Sequence, residues 1–269
     1  MPISKKQYAL LGFPLANSLS PVIHKLFAMQ FNLDIEYKAL EVAPIDLMLT
    51  INNLIDAGFN GFNITAPYKE IIFQQLQNYD SNVRIARAVN TVVVKDDHSM
   101  CGHNTDGLGL IADFKRHNIP VTAQRILILG AGGAVRGILP ELLALQPENL
   151  TIINREQIKT AKIITDFNNL GDVQLGAYSQ LGVLKADVII NATSSDNCEL
   201  LANLDFNNAY CYDLNYKQKV SEFMRFALDH GAKYAVNGLG MLVEQAAIAF
   251  ELWHGKMPAV EHVLLELLD

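Results

Sequence analysis

Lys69 closes the run Asn63-Ile64-Thr65-Ala66-Pro67-Tyr68-Lys69, and Asp106 lies within Gly102-His103-Asn104-Thr105-Asp106-Gly107. Two tight polar turns thus each deliver one group fit for proton transfer, an ammonium and a carboxylate. Oxidising a secondary alcohol requires a proton to leave oxygen as hydride leaves carbon, and the reverse needs an acid at the carbonyl oxygen. Lysine serves in that role when burial lowers its pKa or when a carboxylate partner shares the proton. A glycine-rich turn, Gly130-Ala131-Gly132-Gly133, directly follows the apolar run 125–129. Backbone amides at such a turn suit the pyrophosphate of a dinucleotide. A proton relay plus a nicotinamide cofactor predicts alcohol–ketone redox chemistry.

The elements that must position these groups alternate along the whole chain. Short β-branched or leucine-rich runs are separated by longer helical patterns, which predicts α/β layering with mostly parallel strands. Strands are expected at 8–12, 35–40, 61–65 and 91–95, and helices at 47–57 and 69–77, so Lys69 falls where a strand and its loop give way to a helix. Ser20-Pro21 opens another helix, with serine as N-cap and proline in the first turn. Gly107 and Gly109, ahead of a helical stretch 110–117, read as a hinge between domains. From about 122 to 237 the order is strand 126–129, glycine turn, helix 134–145, strand 150–153, then strands 186–191 and 209–214. That order predicts a Rossmann-like nucleotide-binding domain. A long apolar helix at 241–253 carries polar Glu244, Gln245 and Glu251. The expected divisions are 1–106, 107–237 and a C-terminal helical segment 238–269.

The chain has 269 residues, half of them apolar, enough for two cores. A net charge of -7 gives no general attraction for nucleic acid or an anionic membrane. Any phosphate must therefore be held locally, which singles out Arg136, Arg155 and Lys159. Three widely spaced cysteines, Cys101, Cys198 and Cys211, suggest neither a disulfide framework nor a zinc site, and a reducing cytoplasm fits. The start has two lysines but no apolar stretch behind them, so an unsecreted protein is expected. The seven histidines show no metal-ligand spacing, and no metal is expected.

In a dinucleotide turn the first glycine makes the bend and the second lets the backbone approach the pyrophosphate. Here those are Gly130 and Gly132, with Gly133 adding room and Val135 standing in place of a third spaced glycine. The second strand ends in Asn154-Arg155, where selection of NAD would require a carboxylate. Arg155 and Lys159, on one side of the first helical turn, suit a 2'-phosphate, so NADP is expected over NAD. Glu156 opposes that choice unless it caps the helix N-terminus and turns away. Ser18 and Ser20 can aim two hydroxyls and helix N-terminal amides at one small anion such as a carboxylate; as the bland alternative Ser20 is only the N-cap.

The ordered signals (a serine turn, N-x-T-x-P-Y-K, A-V-N-T, G-x-N-T-D-G, G-A-G-G-A-x-R, N-A-T-S and G-M-L-V-x-Q) resemble the shikimate dehydrogenase family over residues 8–258. The resemblance implies an N-terminal substrate domain, a Rossmann-like second domain and a C-terminal helix returning to the first. It implies Lys69 and Asp106 as the catalytic pair, with Ser18, Ser20 and Tyr216 on a substrate carboxylate and Thr65, Asn90 and Gln245 on its ring hydroxyls. For the cofactor it implies Gly130, Ala131, Gly132, Gly133, Ala134 and Val135 at the glycine turn, Asn154, Arg155 and Lys159 on the adenosine half, Asn191, Ala192 and Thr193 beside the nicotinamide half, and Leu214, Gly238 and Met241 as further cofactor contacts.

The activity so implied is reversible NADPH-dependent reduction of 3-dehydroshikimate to shikimate, by direct hydride transfer across a cleft between domains, in aromatic amino-acid biosynthesis by a monomer or homodimer. The alternatives are a quinate/shikimate dehydrogenase using NAD and a non-catalytic binding paralogue. Departures from the family pattern are Glu156 for threonine, Arg87 for a glycine before A-V-N-T, Lys25 for asparagine, Asp196 or Asn197 for glycine, and Lys217-Gln218 where proline is common.

Overall fold

The computed structural model describes residues 5–15, 17–193, 198–216 and 219–268. Ala16, Ser194, Asp196, Asn197, Lys217 and Gln218, each part of a motif or departure above, lie outside the described residues. Two compact units emerge, Met1–Gly109 with Val243–Asp269, and Leu110–Leu242.

The first unit contains β1 (Lys6–Gly12), α1 (Ser20–Gln30), β2 (Ile35–Glu41), α2 (Leu47–Asp56), β3 (Gly61–Ile64), α3 (Lys69–Gln75), β4 (Asn78–Tyr79), α4 (Ser81–Ala86), β5 (Thr91–Val94) and β6 (Met100–His103). Its sheet runs β2-β1-β3-β5-β6-β4. All neighbours are parallel except β5, which is antiparallel to both β3 and β6. A central parallel strand is covered on both faces and reads as a continuous apolar run, as β1 does from Tyr8 to Gly12. Helix α2 buries Leu47, Ile51 and Ile55, one stripe at helical spacing, in a core shared with Phe62, Tyr68 and Ile72.

Helix α5 (Asp106–Arg116) begins at the proposed catalytic aspartate itself. Gly107 and Gly109 therefore lie inside a helix, and the division between the two units falls directly after Gly109. Close packing explains Gly109: a Cβ there would stand 2.7 Å from that of Gln245.

The second unit holds β7 (Arg125–Leu129), α6 (Gly133–Ala144), β8 (Asn149–Ile153), α7 (Gln157–Phe167), β9 (Val173–Gly176), β10 (Val188–Asn191), β11 (Tyr210–Asp213), α8 (Glu222–Asp229) and β12 (Tyr234–Asn237). Its sheet is parallel throughout, ordered β12-β11-β10-β7-β8-β9. Counted from β7 this is the 3-2-1-4-5-6 order of a doubly wound dinucleotide-binding sheet, which reverses between β7 and β10. Ligands bind such sheets at the carboxyl ends of those two strands. Helix α9 (Leu239–His254) leads on to α10 (Val260–Leu268). In the first unit Trp253 stacks on Tyr8 with ring centroids 4.4 Å apart, and its indole N–H donates to the Val92 carbonyl at 3.1 Å.

Candidate active site and cofactor pocket

Lys69 opens α3 on a turn that has little freedom. Tyr68 is fully buried and its hydroxyl donates to the Val42 carbonyl, while the Tyr68 amide bonds the Thr65 carbonyl at 2.9 Å and the Thr65 amide bonds the Leu11 carbonyl at 3.0 Å. From this support the Lys69 ammonium donates to Asp106 Oδ2 at 2.6 Å, with the two side chains only 12% and 6% exposed. A cation and an anion so shielded attract strongly, but each must be fully partnered to offset its lost hydration.

That partnering runs through Asn90, which is itself buried. Its amide nitrogen lies 2.9 Å from Asp106 Oδ1, 2.8 Å from the Thr105 hydroxyl and 3.2 Å from Gln245 Oε1. Its carbonyl oxygen accepts the Thr105 amide at 2.9 Å and the Thr91 hydroxyl at 3.0 Å. Asn63 continues the chain, donating to Thr91 Oγ1 at 3.0 Å and accepting the Tyr37 hydroxyl at 2.7 Å. Asn104 holds the Asp106 amide at 3.0 Å and anchors on the Ala88 carbonyl at 2.8 Å. Asn63, Thr91, Asn104 and Tyr37 were not singled out from sequence. Only the folded structure shows that Asn63 and Thr91 brace Asn90 and that Asn104 holds the Asp106 amide. The arrangement is a proton donor with its acceptor attached, held rigid against solvent.

The parallel pairing of β1 and β3 and the Phe13 amide on the Ala66 carbonyl at 3.0 Å join the turn after β1 to the turn that carries Thr65. Ser20 is not the N-cap expected of it: that position is Leu19, without a side-chain cap. Instead the Ser18 hydroxyl accepts the Ser20 amide at 3.2 Å, and Ser20 is buried as the first helical residue. Tyr216 belongs to the second unit, where burial pushes its phenol up from the ordinary value.

In the second unit a cavity of about 300 Å³ opens at the carboxyl ends of β7 and β10. Gly130, Ala131 and Gly132 line it together with Asn191, Ala192 and Thr193, and Asn154, Arg155, Glu156 and Lys159 line it beyond β8. Gly130 has φ +111, and a Cβ there would lie 2.8 Å from the Ala192 carbonyl oxygen, so only glycine fits this bend. Gly132 is the N-cap of α6 and has no side-chain cap, leaving the first amides of that helix for an anion. Gly133, Ala134, Val135, Leu214, Gly238 and Met241 are not among the lining residues; the Val135 side chain is fully buried, so only backbone groups of that turn could meet a ligand. Tyr178, Leu201 and Phe223 supply an apolar wall that sequence reasoning missed, since they come from later elements with no motif of their own.

The basic cluster divides on inspection. Arg136 is 2% exposed, bonds Asp166 at 2.5 Å and lies over the Phe167 ring, so it ties α6 to α7 instead of facing a phosphate. Arg155 makes no ion pair among the described residues. Glu156 occupies the N-cap position of α7 but makes no side-chain cap; its Oε1 accepts Lys159 Nζ at 2.8 Å. The expected capping role is thus replaced by an exposed ion pair at the cavity rim. Among the described residues no group of three or more metal-binding side chains converges, and no helix is long and apolar enough to cross a membrane.

Comparison with known proteins follows this division. The model of the shikimate dehydrogenase substrate binding domain matches residues 10–92, that of shikimate / quinate 5-dehydrogenase 114–210, and that of the shikimate 5'-dehydrogenase C-terminal domain 238–264. A shikimate dehydrogenase (NADP(+)) of Aeromonas hydrophila is 40% identical over 265 residues, 97% of each chain. Among solved structures, shikimate 5-dehydrogenase of Listeria monocytogenes, in complex with shikimate and NAD, is 27% identical with TM-score 0.86, covering 98% of this chain and 96% of its own. The Thermus thermophilus enzyme, in complex with NADP(H) and shikimate, is 28% identical with TM-score 0.81, covering 94% and 95%.

Proposed function

Because the chain belongs to the shikimate dehydrogenase family, we propose that it interconverts 3-dehydroshikimate and shikimate with NADP(H), a step of aromatic amino-acid biosynthesis. The observation that carries this is the enclosed Lys69–Asp106 pair at 2.6 Å. The first unit would hold the substrate and the second the cofactor.

When shikimate is oxidised, the pair takes the proton from the reacting hydroxyl, and Lys69 returns it to the carbonyl oxygen in the reverse direction. Asn90, by fixing Asp106 Oδ1, leaves Oδ2 to share the proton with the lysine. Ser18, Ser20 and Tyr216 would hold the carboxylate, and Thr65, Asn90 and Gln245 the ring hydroxyls. A site that pairs several hydroxyls rejects analogues lacking them, because its own buried groups would be left without partners.

The cofactor fits the second unit on three counts: the glycine bend that a Cβ would block, the open amides of α6, and the unopposed guanidinium of Arg155. NADP(H), when bound, supplies or accepts the hydride. Arg155 would hold its 2'-phosphate and Gly130 to Val135 its pyrophosphate. The Glu156–Lys159 pair favours a second reading in which NAD is tolerated and quinate is also used. A cytoplasmic location belongs to the same proposal, on the free thiols of Cys101, Cys198 and Cys211. Initial rates with shikimate and quinate, each with NADP and NAD, test reaction, substrate and cofactor together. Shikimate with NADP is expected to be fastest; no turnover with either acid overturns the proposal.

A further inference from the structure

Asp213 ends β11 with a carboxylate only 1% exposed that takes no part in the chemistry above. Its Oδ1 alone accepts three N–H groups: Asn191 Nδ2 at 3.1 Å, the Asn215 backbone amide at 3.1 Å and Asn215 Nδ2 at 3.0 Å. These donors come from two turns. Asn191 is the register partner of Asp213 on β10, and Asn215 immediately precedes Tyr216. The same asparagines extend the hold. Asn191 Oδ1 accepts both the amide and the hydroxyl of Thr193, at 3.1 and 2.7 Å, and Asn215 Nδ2 also reaches the Thr193 carbonyl at 2.9 Å. The backbone ties in as well, through the Leu214 amide on the Asn191 carbonyl at 2.8 Å and the Gly238 amide on the Asn215 carbonyl at 3.1 Å.

Burying a carboxylate is costly, and among the described residues no cation stands against this one. Burial pushes its acidity towards the neutral form, against the pull of the hydrogen bonds from Ser221, Asn215 and Asn191. An apolar residue would remove the cost of the charge but leave three donors orphaned. A carboxylate has acceptor capacity enough to gather all of them at one point.

We propose that Asp213 is a positioning residue that locks the Asn191–Thr193 turn to the turn carrying Tyr216. The inference rests on the functional reading above, in which the first turn lies beside the nicotinamide half of the cofactor and Tyr216 on the substrate carboxylate. One carboxylate then sets both contacts of the second unit, so its loss degrades orientation while the adenosine end of the pocket, beyond β8, is untouched.

The test compares the wild-type enzyme with Asp213→Ala, Asp213→Asn and Asn215→Ala, by steady-state kinetics with shikimate and NADP and by calorimetric binding of adenosine 2',5'-bisphosphate, which lacks the nicotinamide. Asp213→Ala is expected to lower kcat/KM about 100-fold through both a fall in kcat and a rise in the shikimate KM, the scale of a misplacement remote from the reacting bond. Asp213→Asn, which keeps an acceptor oxygen, recovers most of that loss, and bisphosphate affinity is unchanged. Should Asp213→Ala fail to fold, the half-exposed Asn215→Ala decides, with the same direction of change in kcat and KM. Wild-type constants in a folded Asp213→Ala or in Asn215→Ala, or an Asp213→Asn protein no better than the alanine variant, overturn the inference alone. A wild-type protein that binds the bisphosphate but does not oxidise shikimate overturns the functional reading, and this inference with it.

Discussion

Asp106 divides its two oxygens between different partners, Oδ2 to the lysine and Oδ1 to Asn90, and that division makes the pair act as a unit. Lys69→Ala is expected to lower kcat by roughly two to four orders of magnitude, the range for losing a positioned acid–base group, while NADP binding is retained. Asp106→Asn should be similarly crippling. The double variant should be little worse than either single one; losses that multiply would mean independent roles. At the cofactor end the two cations differ, since Arg155 faces the cavity without an ion pair among the described residues and Lys159 is already held by Glu156. Arg155→Ala is therefore expected to raise the KM for NADP far more than that for NAD, by the loss of a charge-assisted bond worth about 1.5 to 3 kcal/mol. Glu156→Thr should release Lys159 and lower the KM for NADP. Equal effects of Arg155→Ala on both cofactors would show that it does not read the phosphate. Lys69 and Asp106 could be read from sequence because each ends or follows a dense polar turn. Asn63 and Thr91 could not, because a polar residue inside a short strand gives no sign of which neighbour it faces until the register is known.

Elements were legible where their burial is continuous. The strands at β1, β3, β7, β8 and β10 were each found to within two residues, because a parallel strand covered on both faces writes an unbroken apolar run. The short pieces β4 and β9 and the helix α4 carry too few apolar positions to set a period, whereas β5, expected at 91–95, runs Thr91–Val94 and only its antiparallel pairing went unread. The glycines of α5 marked the passage between the units but not its physical basis: close approach of another helix and backbone freedom both demand glycine, and only the position of Gln245 tells them apart. Arg87 shows the converse. It closes α4 with φ 51 and ψ 35, a left-handed conformation that costs an L side chain energy and that glycine adopts freely. That conformation explains why glycine stands there in the family pattern. Arg87→Gly is expected to stabilise the first unit by about 0.5 to 1 kcal/mol, the relief of strain exceeding the extra entropy of the unfolded glycine. Urea unfolding followed by the fluorescence of Trp253, the chain's one tryptophan, measures it; no gain in midpoint would mean that contacts of the arginine offset the strain.

At the scale of the whole molecule the chain makes two units, and the order of its motifs was enough to anticipate a substrate part followed by a nucleotide-binding part. The return of the C-terminal helix to the first part was also anticipated, and residues 243–269 do belong to the first unit; what no pattern announced is the histidine sealed in that core. His24 is fully buried, stacks on Tyr37 with ring centroids 4.3 Å apart and lies 5.2 Å from Trp253. Burial, reinforced by His254 and opposed by a hydrogen bond with Asn63, pushes its pKa down from 6.5 to about 3. The unfolded chain therefore binds a proton below pH 6.5 that the folded chain refuses until about pH 3. Stability is full above the first value and falls as pH drops towards the second, because the unfolded state carries the more protons in that window. Between pH 7 and pH 5 this one residue should remove about 2 kcal/mol from the unfolding free energy of the first unit, a mean slope of about 1 kcal/mol per pH unit that stays below the limiting 1.36 because His24 in the unfolded chain is only partly protonated near pH 7. His24→Phe keeps the ring in its stack and cannot titrate, so it should fold and lose that share of the acid sensitivity, leaving what His254 and the carboxylates contribute. Urea midpoints read through Trp253 at pH 7 and pH 5 decide the matter: an unchanged difference between the two pH values in the variant would mean that His24 takes up its proton without unfolding.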